Sequence, residues 1–454
     1  MRPHDEIKEY SKTVCEQIRW KKAHKIIAEE IESHICDQRD AYMLQGDDEK
    51  TATQKAVLQM GDAVSLGMEL DKVHRPKPQW AMIALTVILM SIGMLFNYFI
   101  NPSKFTSAGL NFIPYITALA VFFICYFLDF SILGRYAKYI YLFILVFSYL
   151  QILLGVSSVG RIFFSVGGFR INLSYFALIL PLAYSLLIYS LRHKGYKGII
   201  LCGLGYILFA VILLLVPLFS GFILFSAVAF TNLYISIEKG WFGTDKKQDL
   251  LFMLIPLLGA VIAVLIYIIQ HPYSLDKISL AINPYPKREG EGYFICLVRD
   301  LLAGSKLAGR GIVPALYESN IPELPLADTD YILTSITYNY GWIAFVGVLA
   351  VITAFSVLGV YYVVRQKSVL GTLVSLSIIL TLILQVIFYV FNNLGFVIMP
   401  ALSLPLISYG KTALIINSAL IGFMLSVFRT GDIIKDSRIS AGKSIQDYGM
   451  IAEN

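Results

Sequence analysis

Charge is scarce in this chain. Only 15% of its 454 residues are Asp, Glu, Lys or Arg, where a soluble domain carries about a quarter. The acids are scarcer still beyond the N-terminal part: 15 of the 31 lie in residues 1–78, and eight more crowd between Asp276 and Asp330. Cysteine is equally sparse. Cys15 and Cys36 lie in the charged N-terminal part, Cys125 and Cys202 in apolar runs, and only Cys296 in the acid-bearing stretch. No pair is therefore offered for a bridge outside the cell. The six histidines, His4, His24, His34, His74, His193 and His271, have no zinc-ligand spacing. The first 70 residues hold no apolar run of signal-peptide type, so no cleaved secretory leader is expected.

What is abundant is apolar. Hydrophobic residues make up 57% of the chain and the mean hydropathy is +0.68. One water-soluble core cannot absorb that excess, and disordered or collagen-like classes are excluded by the same composition. The pI of about 8.8 suggests a nucleic-acid partner only until the positive charges are placed. They are distributed as membrane topology, so no nucleic acid is expected.

A helix crosses the hydrocarbon core with about 20 mainly apolar residues. Ten such runs are legible: 80–100, 109–130, 137–156, 173–191, 197–216, 219–237, 250–270, 341–364, 368–391 and 407–428. The expected fold is all-α, a polytopic membrane domain of ten transmembrane helices over residues 79–430. Residues 392–406 are apolar but broken by Asn392, Asn393, Gly395, Pro400 and Pro405. They read as a loop or half-helix, because irregular backbone at membrane depth needs protein or a wet cavity around it. With the N-terminus inside, ten Lys/Arg fall in short inner loops and four (Lys104, Arg161, Arg170, Lys411) in outer ones. Lys/Arg excess inside sets orientation, so both termini, including a tail over 431–454, are expected in the cytoplasm of the cell membrane. Residues 271–340 then form one large extracellular loop between the seventh and eighth helices.

Residues 1–78 read as a small cytoplasmic helical module. Ile18, Trp20, Ile26, Ile27, Ile31 and Ile35 recur at helical spacing across Glu6–Ile35; Thr51–Met60 and Asp62–Leu70 give a second and third helix. The patterns Ile18-Arg19-Trp20-Lys21-Lys22-Ala23-His24, Glu30-Ile31-Glu32-Ser33-His34-Ile35 and Met60-Gly61-Asp62 resemble helical prefix domains that Gram-positive bacteria attach to membrane proteins.

The outer loop is where chemistry is expected, since seventy residues without a span are more often a site or lid than a connector. Tyr293–Leu307 has the pattern of a helix lying at the interface. Asp328 and Asp330 stand just before the eighth span, where low dielectric raises a carboxyl's pKa towards the range of a general base. Lys306 and Arg310 are candidates for holding phosphates; the plain alternative is a set of solvated loop charges. Pro405-Leu406-Ile407-Ser408-Tyr409-Gly410-Lys411-Thr412 opens the tenth span. Ser408 and the backbone at Gly410 are placed to meet a head group there; the plain alternative is a helix-entry turn. Gly410-Lys411-Thr412 lacks the upstream glycine of a P-loop.

Three motifs in order resemble the SEDS family (shape, elongation, division and sporulation: FtsW, RodA, SpoVE) over about residues 80–430. They are Gly304-Ser305-Lys306-Leu307-Ala308-Gly309-Arg310-Gly311, Leu324-Pro325-Leu326-Ala327-Asp328-Thr329-Asp330-Tyr331-Ile332-Leu333, and Leu404-Pro405-Leu406-Ile407-Ser408-Tyr409-Gly410. The resemblance implies a peptidoglycan glycosyltransferase that polymerises undecaprenyl-pyrophosphate-linked lipid II into glycan strands. It places the essential carboxylate on Asp330, with Thr329 beside it. It implies substrate contacts at Lys306, Arg310, Thr329, Arg161, Ser408, Tyr409 and Gly410. Charge on the leaving pyrophosphate is offset either by this basic cluster or by a divalent cation, Mg2+ or Mn2+; no protein metal ligand set is named. A class B penicillin-binding protein is the implied partner, and membrane lipid the surroundings.

Departures from the family pattern mark a divergent member. Tyr338-Asn339-Tyr340-Gly341 replaces Glu-Glu-Leu-Gly. Asn172–Leu178 lacks the family's Glu and Lys, and Pro217-Leu218-Phe219-Ser220 lacks its Asp. Asp328 stands for His and Lys411 for Gly. Two other functions remain open on the sequence: a non-catalytic scaffold or regulator of the cell-wall machinery, and a flippase for lipid-linked precursors. Against the flippase, no Lys, Arg or Glu stands mid-span, where substrate paths usually place them.

Overall fold

The computed structural model describes residues 3–100, 112–158, 161–166, 169–216, 218–270, 273–312, 324–397 and 402–431. The chain divides into two compact units, one built on Met1–Pro78 and one on Gln79–Phe428.

The first unit has four helices where the sequence spacing suggests three: α1 (Pro3–Glu16), α2 (His24–Leu44), α3 (Glu49–Met60) and α4 (Ala63–His74). The continuous apolar pattern over Glu6–Ile35 is interrupted because the Arg19 amide donates to the Asp71 carboxylate at 2.9 Å instead of to a helix carbonyl. The His24 ring then bonds the Ile18 carbonyl at 2.7 Å, fixing the corner. Asp48 and Asp62 cap α3 and α4 by accepting from the amides of Thr51 and Ser65. Ile7, Val14, Ile18, Ile27, Ile31 and Ile35 close the core.

The second unit begins with α5 (Trp80–Ile100), α6 (Ile113–Phe127), the short α7 (Ser131–Arg135) and α8 (Ala137–Leu154). Three short antiparallel strands follow, β1 (Val156–Ser158), β2 (Arg161–Val166) and β3 (Phe169–Asn172), with Ser158 opposite Arg161 and Ser165 opposite Arg170. This small sheet is an addition that the all-helical expectation did not contain. Then come α9 (Leu173–Phe176), α10 (Leu180–Leu191), α11 (Tyr196–Leu215), α12 (Phe219–Glu238) and α13 (Lys246–Gln270). The described residues of the 271–340 segment hold three helices: α14 (Tyr273–Ile282), α15 (Tyr293–Ala303) and α16 (Ile332–Tyr340). α17 (Trp342–Val364), α18 (Val369–Asn393) and α19 (Lys411–Thr430) complete the unit.

Among the described residues nine helices are long and apolar enough to span a membrane. The expected second span appears as the 15-residue α6, and the residues before it, 101–111, lie outside the described ones. The protein is a multi-pass, all-α membrane protein. Between spans there is no hydrophobic gain from leaving lipid, so close packing of small residues takes over. A side chain at Gly205 would meet Leu187, and the Tyr141 hydroxyl donates to the Gly205 carbonyl at 2.9 Å. Gly422 lets α19 approach the backbone of α6 at Phe122, and Gly359 makes room for Ile379.

Candidate active site

The two Leu-Pro-Leu motifs fold alike and meet. In the first, Leu326 adopts a left-handed φ of 57°, and its carbonyl accepts the amides of Thr329, Asp330 and Tyr331 at 3.1, 3.0 and 3.1 Å. In the second, Leu406 has φ 63°, and the Leu404 carbonyl accepts the amides of Ile407 and Ser408. Left-handed backbone at a branched residue costs about 1–3 kcal/mol and persists only where the surroundings enforce it. Proline before each such leucine narrows the alternatives by fixing its own φ.

Cross-links between the two turns do the enforcing. The Ser408 hydroxyl donates to the Thr329 carbonyl at 2.9 Å and accepts from the Leu404 amide at 2.9 Å. The Tyr409 amide donates to the Asp328 carbonyl at 2.9 Å. Helix α18 supports both turns from one face. Its Tyr389 hydroxyl donates to the Thr329 carbonyl at 2.6 Å and accepts from the Ile332 amide at 3.1 Å. Its Asn393 donates to the Asp330 carbonyl at 2.9 Å and accepts from the Thr334 amide at 3.0 Å. One turn deeper than Tyr389, Gln385 donates to the carbonyl and hydroxyl of Ser403 at 2.9 and 2.7 Å. Asp330 is thus gripped on both sides through its backbone.

The far side of the second turn rests on α5 and α6. A side chain at Gly93 would stand 2.7 Å from the Ile407 Cα. Asn97 donates to the Ile407 carbonyl at 3.1 Å and to the Tyr115 hydroxyl at 2.8 Å.

Asp328 and Asp330 are both buried, at 8% exposure, at the entry to α16. Burial, and after it the charge of Asp328, raises the Tyr409 hydroxyl above its ordinary pKa. That group is therefore a proton donor, not a phenolate, at neutral pH. Tyr409 packs 6.3 Å from the Tyr115 ring. Gly410 lies near Tyr175 at the start of the fourth span: a side chain there would come 3.7 Å from the Tyr175 hydroxyl.

The structure therefore brings Thr329, Asp330, Ser408, Tyr409 and Gly410 together. Lys306 and Arg310 are exposed and form no salt bridge among the described residues. Their glycine-rich segment is threaded against the α16–α17 corner: the amides of Gly309 and Gly311 donate to the carbonyls of Tyr340 and Tyr338 at 3.0 and 2.7 Å. Gly341, at φ 94°, would strike the Leu307 carbonyl at 2.5 Å if it carried a side chain. The glycines serve this close backbone approach, and the two cations are left facing outward. Arg161 opens β2; no side-chain placement is described there.

Sequence reasoning missed Gln385, Tyr389 and Asn393. The signal was present: Ser377, Thr381, Gln385, Tyr389 and Asn393 recur every fourth residue, a polar stripe on one face of an otherwise apolar helix, each at 1% exposure or less.

A family model described as the cell cycle proteins FtsW, RodA and SpoVE matches residues 78–432. The chain belongs to this family. Among curated relatives, the peptidoglycan glycosyltransferase MrdB of Escherichia coli K12 is 26% identical over 204 residues, covering 44% of this chain and 52% of MrdB. The probable peptidoglycan glycosyltransferase FtsW of Nitrosomonas europaea is 29% identical over 192 residues, covering 41% and 48%. The chain thus spans about half the length of the curated relatives it matches. In fold, it is similar to a chain of a peptidoglycan synthase complex that coordinates polymerization and crosslinking. The TM-score is 0.61 at 20% identity, over 78% of this chain and 98% of the other. The rod shape determining protein RodA of Thermus thermophilus gives a TM-score of 0.51 at 17% identity, over 78% and 97%.

Proposed function

We propose that this FtsW/RodA/SpoVE family member polymerises lipid II into glycan strands, with Asp330 as general base. The observation that carries the reading is the grip on Asp330: a buried carboxylate whose backbone is held by Tyr389, Asn393 and Ser408 from two separate segments. Such fixed geometry is what proton transfer to a positioned side chain requires.

In the proposed step Asp330 takes the proton of the acceptor sugar's 4-hydroxyl. The oxygen forms a bond to the anomeric carbon of the donor, and the bond to the pyrophosphate oxygen breaks. Undecaprenyl pyrophosphate leaves with the electron pair. Lys306 and Arg310, exposed on the same loop, meet the pyrophosphate and offset its charge, while Tyr409 and Gly410 line the approach. Among the described residues no group of three His, Cys, Asp or Glu side chains is placed to cage a metal. Mg2+ is commonly held by one or two carboxylates plus substrate phosphates. Asp328, which the step leaves unprotonated, would be the carboxylate to hold it, and such a cation would supply charge compensation only.

The distribution of Lys and Arg supports cytoplasmic termini and an extracytoplasmic site. The membrane partner of the reading is a class B penicillin-binding protein, and the resemblance of residues 1–78 to prefix domains supports a Gram-positive source. The substituted family positions at Asn172–Leu178 and Tyr338–Gly341 favour a second reading, a non-catalytic scaffold.

The test is lipid II polymerisation by the purified protein, with and without a co-expressed class B transpeptidase. Strands from the parent that vanish in Asp330→Ala support the enzyme. Folded parent protein that makes none under either condition turns the reading to the scaffold.

A further inference from the structure

Arg299 is a mid-helix residue of α15 that the site description does not use. Its guanidinium gathers three backbone carbonyls from two other elements. Nη1 donates to the Ile282 carbonyl at 3.1 Å and Nη2 to that of Ala281, both at the C-terminus of α14. Nε and Nη2 donate to the Gly395 carbonyl at 3.1 and 3.0 Å, just past the C-terminus of α18. The guanidinium carbon also lies 5.3 Å from the Phe396 ring centroid. Carbonyls at helix ends have no partner within their helix, and a planar fork of five donors answers several at once in a way an ammonium cannot. Gly395 is fitted to the arrangement: its φ is +81°, and a side chain there would meet Arg299 Cγ at 2.7 Å.

The far side of α15 packs on α16. Leu297 and Leu301 are buried against Tyr338, with Tyr293 and Leu324 beside them. So α15 touches both walls of the Asp330 cradle: α16, which follows Asp330, and the end of α18, where Asn393 holds the Asp330 carbonyl two residues before Gly395. Without Arg299 the α18 terminus keeps its bonds to Asp330 and Thr334 and loses those that Arg299 makes between Gly395 and the end of α14.

We infer that Arg299 is a positioning residue, a bolt that fixes the end of α18 against the outer-loop helices and so sets the place of Asp330 through Asn393. The catalytic consequence rests on the reading of Asp330 as the base; the mechanical one does not. Arg299 spends its donors on the backbone carbonyls of Ala281, Ile282 and Gly395, so its loss acts on placement and not on substrate binding.

The experiment uses the full chain in lipid nanodiscs, comparing the parent with Arg299→Lys and, from the other side of the same contact, Gly395→Ala. Amide hydrogen exchange is read by mass spectrometry, thermal midpoints by scanning, and kcat and KM with lipid II. In both variants the midpoint stays within a few degrees of the parent. Exchange over 326–334 quickens about tenfold, and kcat falls between about tenfold and a hundredfold at unchanged KM. Faster exchange confined to 281–283 and 395–397, or spread evenly over all spans, overturns the inference. If the parent makes no strands, the exchange pattern still decides the role of Arg299, and only the glycosyl-transfer reading fails.

Discussion

The two Leu-Pro-Leu turns carry the same tripeptide and the same strained third residue, yet they are bonded differently, through the Leu326 carbonyl in one and the Leu404 carbonyl in the other, and serve different ends. The first, 324–331, presents two carboxylates at a helix entry. The second, 404–410, presents a hydroxyl and one amide donor that brace the first. Their leucines differ in the same sense: Leu326 is 51% exposed and Leu406 is 1% exposed. Local sequence therefore sets the turn, and the neighbours decide whether that turn is a working edge or a foundation. The foundation is the one built into the bundle, against Gly93, Asn97 and Gln385.

This contrast can be broken from the foundation side. Gly93→Leu forces a side chain into the Ile407 backbone, where nothing flexible can yield. Overpacking in a closed site costs about 1–3 kcal/mol and occasionally more; here the thermal midpoint falls by the largest margin of the variants considered, and the proposed polymerisation goes with it. Paired glycine substitutions separate the turns more sharply. Leu406→Gly relieves strain but empties a buried leucine site, a net loss of about 2–4 kcal/mol. Leu326→Gly relieves the same strain at an exposed position. Its gain is offset by glycine's extra unfolded-state freedom, leaving a change within about 1 kcal/mol of zero. Equal effects at the two leucines, read by thermal or denaturant unfolding, would remove the distinction drawn here.

The hydrogen bonds between turn and helix follow. Tyr389→Phe leaves the Ile332 amide without its acceptor and takes one of two donors from the Thr329 carbonyl, costing about 1–3 kcal/mol. Its effect on kcat should exceed its effect on KM, because the hydroxyl meets backbone and not substrate. Ser408→Ala likewise leaves the Leu404 amide without its acceptor and costs about 1–3 kcal/mol, while the Thr329 carbonyl keeps Tyr389. The double variant should lose more than the sum of the two, and a strictly additive result would show that the two donors act independently.

How much of this could be read beforehand follows from what lipid demands. A span must be a continuous apolar run because its backbone has no water to turn to, so the runs that became α5, α8 and α11–α13 were legible almost residue by residue. The start of α19 was misjudged by four residues: Leu406–Gly410 is apolar enough to pass as helix, and only its contacts with Asn97, Tyr115 and Thr329 hold it as a turn. The break between α1 and α2 was hidden for a similar reason. Asp71 ends α1 from more than fifty residues away, and no local pattern records that. Lys306 and Arg310 were legible as cations. That the glycines around them serve backbone threading, through Gly311 against Tyr338 and Gly341 against Leu307, was not.

The sequence by itself determined that this chain lives in a membrane, where its helices run, and that an acid pair stands at the edge of a long loop between two spans. These follow from composition and periodicity, which are local. Only the tertiary structure decided that Asp330 is held and not merely present. Tyr389, Asn393 and Ser408 reach it from 60 to 80 residues away in the chain, and Arg299 bonds the carbonyl of Gly395, just past the end of α18, from yet another segment. A hydrogen bond between distant segments leaves no trace in either one alone, because its energy exists only when both are in place.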